Sequence, residues 1–255
     1  MNAKGVIGVV VEGFGGRIRP VSYEAASCAM KLGKICELPV KGIAPGRHPV
    51  PLAEEFAKTT GLDTLALEGE DLGGWSAESW RDLSAILFDS GLLSGLVAAH
   101  TVRAGECVHT LAASCNARAF SGVESLERRD DGLYFRRSVF GSKLLEKLPG
   151  GPPPYFVLVQ PGAFPASLQK PEKPGEVEVL RLKLRPSRIR LLKTESGATD
   201  GAALVRADVI VAAGRGIGVR ENIEQLEKFA AGFSGAAVGA SRPLCDMGWL
   251  GYDRQ

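Results

Sequence analysis

The sequence predicts an α/β protein. A doubly wound parallel sheet forms its N-terminal part, a β-rich extension follows, and a shorter, partial α/β unit comes last. Three observations carry this reading. From Gly5 to Cys115, short apolar runs alternate with stretches whose apolar residues recur at helical spacing. Beyond Phe120 the period changes to two. From Asp208 to Arg242 a strand, a glycine turn, an amphipathic stretch, a second strand and a polar turn follow one another.

In chain order, Gly5 to Val11 is too short to span a membrane and fits a buried parallel strand. Val21, Ala25, Cys28 and Leu32 share one face, which predicts a helix ended by Gly33. Ile35 to Val40 is strand-like, and Gly42 to Pro51 is a Gly/Pro loop. Leu52 to Thr59 is a short helix closed by Gly61, and Thr64 to Leu67 is a strand. Ser76, Glu78 and Ser79 open a helix through Phe88 with Trp80, Leu83 and Leu87 aligned. Leu93 to Ala99 is a strand and Ala104 to Cys115 a helix. The alternation predicts a Rossmann-like sheet of at least four parallel strands. Its loop from His100 to Glu106, at a strand C-terminus, is a position where a ligand could bind.

The extension reads as a hairpin, Val123 to Arg129 and Leu133 to Val139 around Asp130-Asp131-Gly132. Ser142 to Lys147 continues it, and Tyr155 to Gln160 is another buried strand. Ser167 to Gly175 is a polar, Pro-bearing loop; Glu176 to Leu184 and Arg188 to Lys193 are β-like. Alternation would put Arg181, Lys183, Arg185, Arg188, Arg190 and Lys193 largely on one solvated face, with docking to an acidic partner as the second use. No aromatic platform is interleaved, so the patch does not suggest nucleic acid. Thr194 to Gly201 is small, polar and glycine-containing, so it is taken as the linker between a first domain, 1–195, and a second, 196–255.

Composition narrows the function classes. Hydrophobic residues make up 45% and charged residues 24%, as in a globular protein, and a net charge of +2 argues against a polyanion specialist. The five cysteines form no C-x-x-C pair and read as reduced residues of an intracellular chain. The three histidines give no metal spacing. No signal peptide or membrane-inserting segment is visible, which suggests a cytoplasmic location.

The chemistry is expected in the stretch from Asp208 to Arg242. Gly214 and Gly216 let backbone N–H groups approach a phosphate closely, and Arg215 lies between them. Ser241 and Arg242 follow the next strand, again at a strand C-terminus. An arginine there can grip a pyrophosphate through two parallel hydrogen bonds or lie flat on an aromatic ring. Read as residues alone, both arginines could equally pair with surface carboxylates, and Ser241 could cap a helix beginning at Pro243.

The run from Val211 to Trp249, VAAGRGIGVRENIEQLEKFAAGFSGAAVGASRPLCDMGW, resembles the flavin-domain signature of the electron transfer flavoprotein alpha subunit. Further landmarks are Val9 to Glu12 with Gly15-Gly16 and Arg19 to Ser22, Asp130 to Leu133 with Val139 to Lys143, and Val159 to Pro165. The resemblance implies an electron carrier rather than an enzyme with its own substrate. It would bind FAD, pair with an electron transfer flavoprotein beta subunit, and pass electrons from flavin dehydrogenases to a quinone reductase or similar acceptor. Carried over, Arg215 with Gly214 and Gly216 would hold the phosphates. Ser241 and Arg242 would lie by the isoalloxazine, where a guanidinium favours negative charge on the ring. In the family the flavin domain continues past the match to Gly251–Gln255 through a Gln-Thr-Gly loop. The expectation is therefore a C-terminally truncated alpha subunit that retains FAD weakly or not at all. A flavin-free docking module and an adenine-nucleotide-binding protein using the His100 loop are the alternatives.

Overall fold

Burial of the first apolar run on both sides organises the N-terminal unit. The structure, a computed structural model, describes residues 5–73, 76–166, 171–189, 192–193, 204 and 207–255. The chain divides into two compact units, Met1–Arg190 and Leu191–Gln255. The expected linker, 194–201, lies outside the described residues, as does 167–170 of the expected polar loop.

In the first unit, β1 (Val6–Val10) is buried at all five positions. A small hairpin, β2 (Gly13–Phe14) and β3 (Arg17–Ile18), turns through Gly15 and Gly16, both with positive φ. Then come α1 (Val21–Cys36), β4 (Val40–Gly46), α2 (Val50–Thr60), β5 (Thr64–Glu68), α3 (Ala77–Asp89), β6 (Leu93–Ala99) and α4 (Val102–Ser114). β7 (Arg118–Val123) precedes an antiparallel trio, β8 (Ser125–Arg129), β9 (Gly132–Val139) and β10 (Leu144–Pro149). β11 (Tyr155–Val159) and β12 (Val177–Arg181) complete the unit.

Seven of these strands form one sheet in the order β12-β5-β4-β1-β6-β11-β7. Every pairing in it is parallel. The pleat sends Ile7 and Val9 of β1 to one face and Val6 and Val10 to the other. On the first face they meet Ala25, Cys28 and Leu32 of α1, Phe56 of α2, and Leu133 and Phe135 of the antiparallel trio. On the second they meet Trp80, Leu83 and Leu87 of α3 and Cys107, Val108 and Leu111 of α4. Helices on both faces make the sheet doubly wound. The trio is fastened by aromatic packing, with Phe120 stacked on Phe135 at 4.0 Å between centroids and Tyr155 edge-on to Phe135 at 5.9 Å.

Several elements depart from the sequence reading. The first helix does not end at Gly33. It runs to Cys36 and closes at Glu37, whose φ is 56°. Gly33 serves packing instead, since a Cβ there would lie 2.5 Å from Val40 Cγ2. The next strand consequently starts at Val40, and the first half of the expected Gly/Pro loop, Gly42–Gly46, is strand. Pro45 is tolerated because pairing with β1 stops at Ile43. Ile43 O accepts from Val11 N, so alternation turns the missing N–H of Pro45 to that unpaired side. The expected strand from Val123 to Arg129 is two strands: β7 joins the parallel sheet beside β11, and β8 joins the trio. The helix after β6 begins at Val102, two residues before the expected Ala104. The described residues of the expected strand Arg188–Lys193, namely Arg188, Ile189, Leu192 and Lys193, are not in a strand.

The basic stretch is also not one alternating face. Arg181 bonds Glu68 at 3.1 Å, Arg185 bonds Asp82 at 3.2 Å, and Arg188 is ion-paired with Glu78. Arg185 and Arg188 lie beyond β12, so their direction is set by these carboxylates rather than by a pleat. Arg190 lies outside the described residues.

In the second unit, β13 (Val209–Ala213), α5 (Ile223–Ala230), β14 (Ala236–Ala240) and α6 (Arg242–Asp246) follow in order. The two strands pair in parallel over all five residues, from Val209 opposite Ala236 to Ala213 opposite Ala240. Among the described residues of the chain, no helix is long and apolar enough to cross a membrane.

Candidate functional site

The matched register of β13 and β14 brings their C-terminal ends level. Ser241 N donates to Ala213 O at 2.8 Å, which closes the pair one residue past the strands. The segment after Ala213 and the segment after Ala240 therefore leave the sheet side by side. They carry Gly214-Arg215-Gly216 and Ser241-Arg242, so the fold brings all five expected residues to one sheet end.

The first segment is a shaped loop. Gly214 is extended, Arg215–Ile217 forms a 3₁₀ turn, and Gly218 takes a φ of 83° that favours glycine. Ile217 N donates to Gly214 O at 3.0 Å, and Asn222 Nδ2 reaches back to Ile217 O at 2.7 Å. Asn222 thus fixes the turn, a role its position ahead of a helix does not by itself announce. A second 3₁₀ turn, Arg220–Asn222, intervenes before α5. The glycine loop therefore does not open directly onto α5. The amphipathic stretch is likewise shorter than its spacing suggests. Ile223 and Ala230 are buried, while Val219 and Phe233 fall outside α5 and Phe229 is 60% exposed.

The site is open and cationic. Gly214, Arg215, Gly216, Ser241 and Arg242 are all exposed. A Cβ built on Gly214 or Gly216 meets no atom within 4 Å, so a bulky group can approach that backbone. Among the described residues Arg215 has no ion-pair partner. Arg242 Nε lies 3.7 Å from Asp246 Oδ2 in an exposed pair, a weak restraint. Asp246 also accepts from Tyr252 OH at 2.7 Å, and that bond, with the nearby carboxylate charge, raises the tyrosine's pKa. Ser241 precedes α6 but its side chain makes no capping bond, so its hydroxyl is not committed there. Two guanidinium groups, a hydroxyl and two unobstructed glycines suit a diphosphate joined to a flat ring. A cavity of about 400 Å³ in the same unit lies elsewhere, lined by Phe233, Ala236 and Arg254 near the start of β14.

The other expected position, from His100 to Glu106, is differently built. β1 lies between β4 and β6, the place where a doubly wound sheet opens its ligand crevice. Glu12, just after β1, is 3% exposed and fills this place. It accepts from Arg19 Nη1 at 2.6 Å and from Thr101 Oγ1 at 2.9 Å, and its own N–H donates to Ser22 Oγ at 2.9 Å. Thr101 is further used as the N-cap of α4, accepting from Ala104 N. Glu12 and Thr101 are thus committed to one another and to Arg19 within the fold.

Fold and site define a class: an α/β protein with a first parallel-sheet unit and a second unit presenting a glycine–arginine loop. Family profiles agree in both parts. One described as "Electron transfer flavoprotein domain" matches residues 7–184. One described as "Electron transfer flavoprotein FAD-binding domain" matches residues 203–255. The electron transfer flavoprotein subunit alpha of Bacillus subtilis (strain 168) is 25% identical over 240 residues, covering 94% of this chain and 73% of that protein. The same subunit of Syntrophomonas wolfei is 24% identical over 251 residues, covering 97% and 76%. That of Clostridium acetobutylicum is 25% identical over 249 residues, covering 94% and 73%. The chain belongs to the electron transfer flavoprotein family, as an alpha-subunit-like electron carrier, and FAD is its cofactor.

Proposed function

We propose that this chain serves as the alpha partner of a heterodimer with an electron transfer flavoprotein beta subunit. It holds FAD at the end of β13 and β14, taking electrons from flavin dehydrogenases and delivering them to a quinone reductase or similar acceptor. The observation that supports this best is the level pairing of Ala213 with Ala240, from which two exposed arginine segments leave together. Arg215, with the backbone of Gly214 and Gly216, neutralises the diphosphate. Arg242 and Ser241 orient the ring, and the Arg242 charge favours electron density on it. FAD, when bound, supplies the reversible acceptance of electrons. The chain's own groups supply binding and electrostatics, and no side-chain acid or base is needed. The same reading places the work in the cytoplasm. Co-expression with a beta subunit tests it. A yellow complex, bleached by a flavin dehydrogenase with its substrate, is expected; a colourless complex, or a chain that does not associate, would refute it.

A further inference from the structure

We propose that the first unit carries an anion site of its own, at the C-terminal ends of β1 and β4, suited to a small organic phosphate. This inference is independent of the flavin reading and concerns a different part of the chain. A cavity of about 290 Å³ opens there between the β2–β3 hairpin and the segment joining β4 to α2. Arg47, His48 and Arg103 line it, and no carboxylate does among the described residues. Val11 and Gly13 are among its lining residues, whereas Glu12 is not, and the Glu12 carboxylate is turned to Arg19 and Thr101.

Both arginines have neighbours at the cavity. The Arg103 guanidinium lies over the Phe14 ring, 5.4 Å from its centroid. The Arg47 guanidinium lies against Gly73, where a built Cβ would come 3.0 Å from its Nε. Arg47 Nε also lies 2.9 Å from Glu70 Oε2, with 54% and 83% of the two side chains exposed. Such an exposed pair is worth little and yields readily to a phosphate. Gly15 and Gly16 also line the cavity, with φ values of 57° and 75° and no atom within 4 Å of a built Cβ. They form the two-residue turn of the β2–β3 hairpin, whose backbone is open to an approaching ligand. The N-terminus of α2 adds its dipole but few donors, since Pro49 and Pro51 have no N–H. Donors arriving from several directions suit a tetrahedral oxyanion better than a planar carboxylate, and the volume exceeds that of an inorganic ion.

Calorimetric titration of the full chain with ribose 5-phosphate, and with ribose as the uncharged control, tests the site. Binding of ribose 5-phosphate but not ribose is expected. The double substitution Arg47→Ala with Arg103→Ala should weaken it about tenfold or more, Lys at both positions should restore part of it, and Arg181→Ala, on β12, should leave it unchanged. Circular dichroism checks that the variants remain folded. Absence of binding up to about 10 mM ligand, or binding that the double substitution leaves intact in folded protein, would overturn the proposal.

Discussion

The two units use the same parallel β-α-β logic for opposite purposes. The first closes on itself: Phe56, Phe135, Phe156 and Leu158 are fully buried, and the buried Glu12 carboxylate is held by Arg19 and Thr101. The second buries Ala213, Ala240, Leu244 and Cys245 as its main cluster and leaves Ile210 and Phe229 more than half exposed. A fully buried Leu or Phe contributes about 1.5–3 kcal/mol and an alanine much less, so the second unit gains less from its own core. Stability is concentrated in one unit, and the cationic loop ends lie in the other. Open glycines and exposed arginines contribute little to folding, and that is what leaves them available to a ligand.

The largest expected effect tests the core of the first unit. Phe156→Ala should cost about 3–5 kcal/mol in urea denaturation, whereas Leu244→Ala in the second unit should fall near 2 kcal/mol. Equal losses would remove the contrast. Gly33→Ala comes next, at about 1–3 kcal/mol, because its new methyl must displace Val40 and the Leu38 carbonyl, 2.8 Å away. Gly214→Ala, which meets open space, should change stability far less.

Much of the fold was legible because short apolar runs end at glycine or polar residues. Leu93–Ala99, Val209–Ala213 and Ala236–Ala240 could be bounded in this way from the sequence. β7 could not: its residues are mostly half-exposed or exposed, and its partner β11 begins beyond the whole antiparallel trio. Gly33 misled because glycine ends helices and also permits close packing, and only the neighbour at Val40 distinguishes the two. At the site, both arginines and the glycines stand in local patterns. Contacts across the chain do not. Glu12 meets Thr101 89 residues away, and Arg188 meets Glu78 110 residues away.

That second contact gives the smallest effect. Glu78 accepts from Arg188 N at 2.8 Å and Nε at 2.6 Å and from Ser187 Oγ at 3.1 Å. Its pKa is lowered, first by the Arg188 side chain and then by the backbone bond. A carboxylate depressed in the folded state stabilises above its unfolded pKa, and that stabilisation is lost as pH falls through the folded value. Amide exchange at Arg188 should therefore quicken, relative to its intrinsic rate, as the solution is acidified below the ordinary carboxylate range. Glu78→Gln should remove that dependence. Exchange that follows acidification identically in both proteins would show the segment at Ser187-Arg188 to be held by something else.

The central claim is tested most directly by titrating FAD into the purified complex with a beta subunit, following flavin fluorescence, for the unaltered chain and for Arg215→Ala and Arg242→Ala. A hydrogen bond to a charged group is worth about 1.5–3 kcal/mol, so each substitution should weaken FAD binding by about ten- to a hundredfold with the heterodimer intact. Unchanged affinity in both variants would contradict the assignment of these arginines to the cofactor.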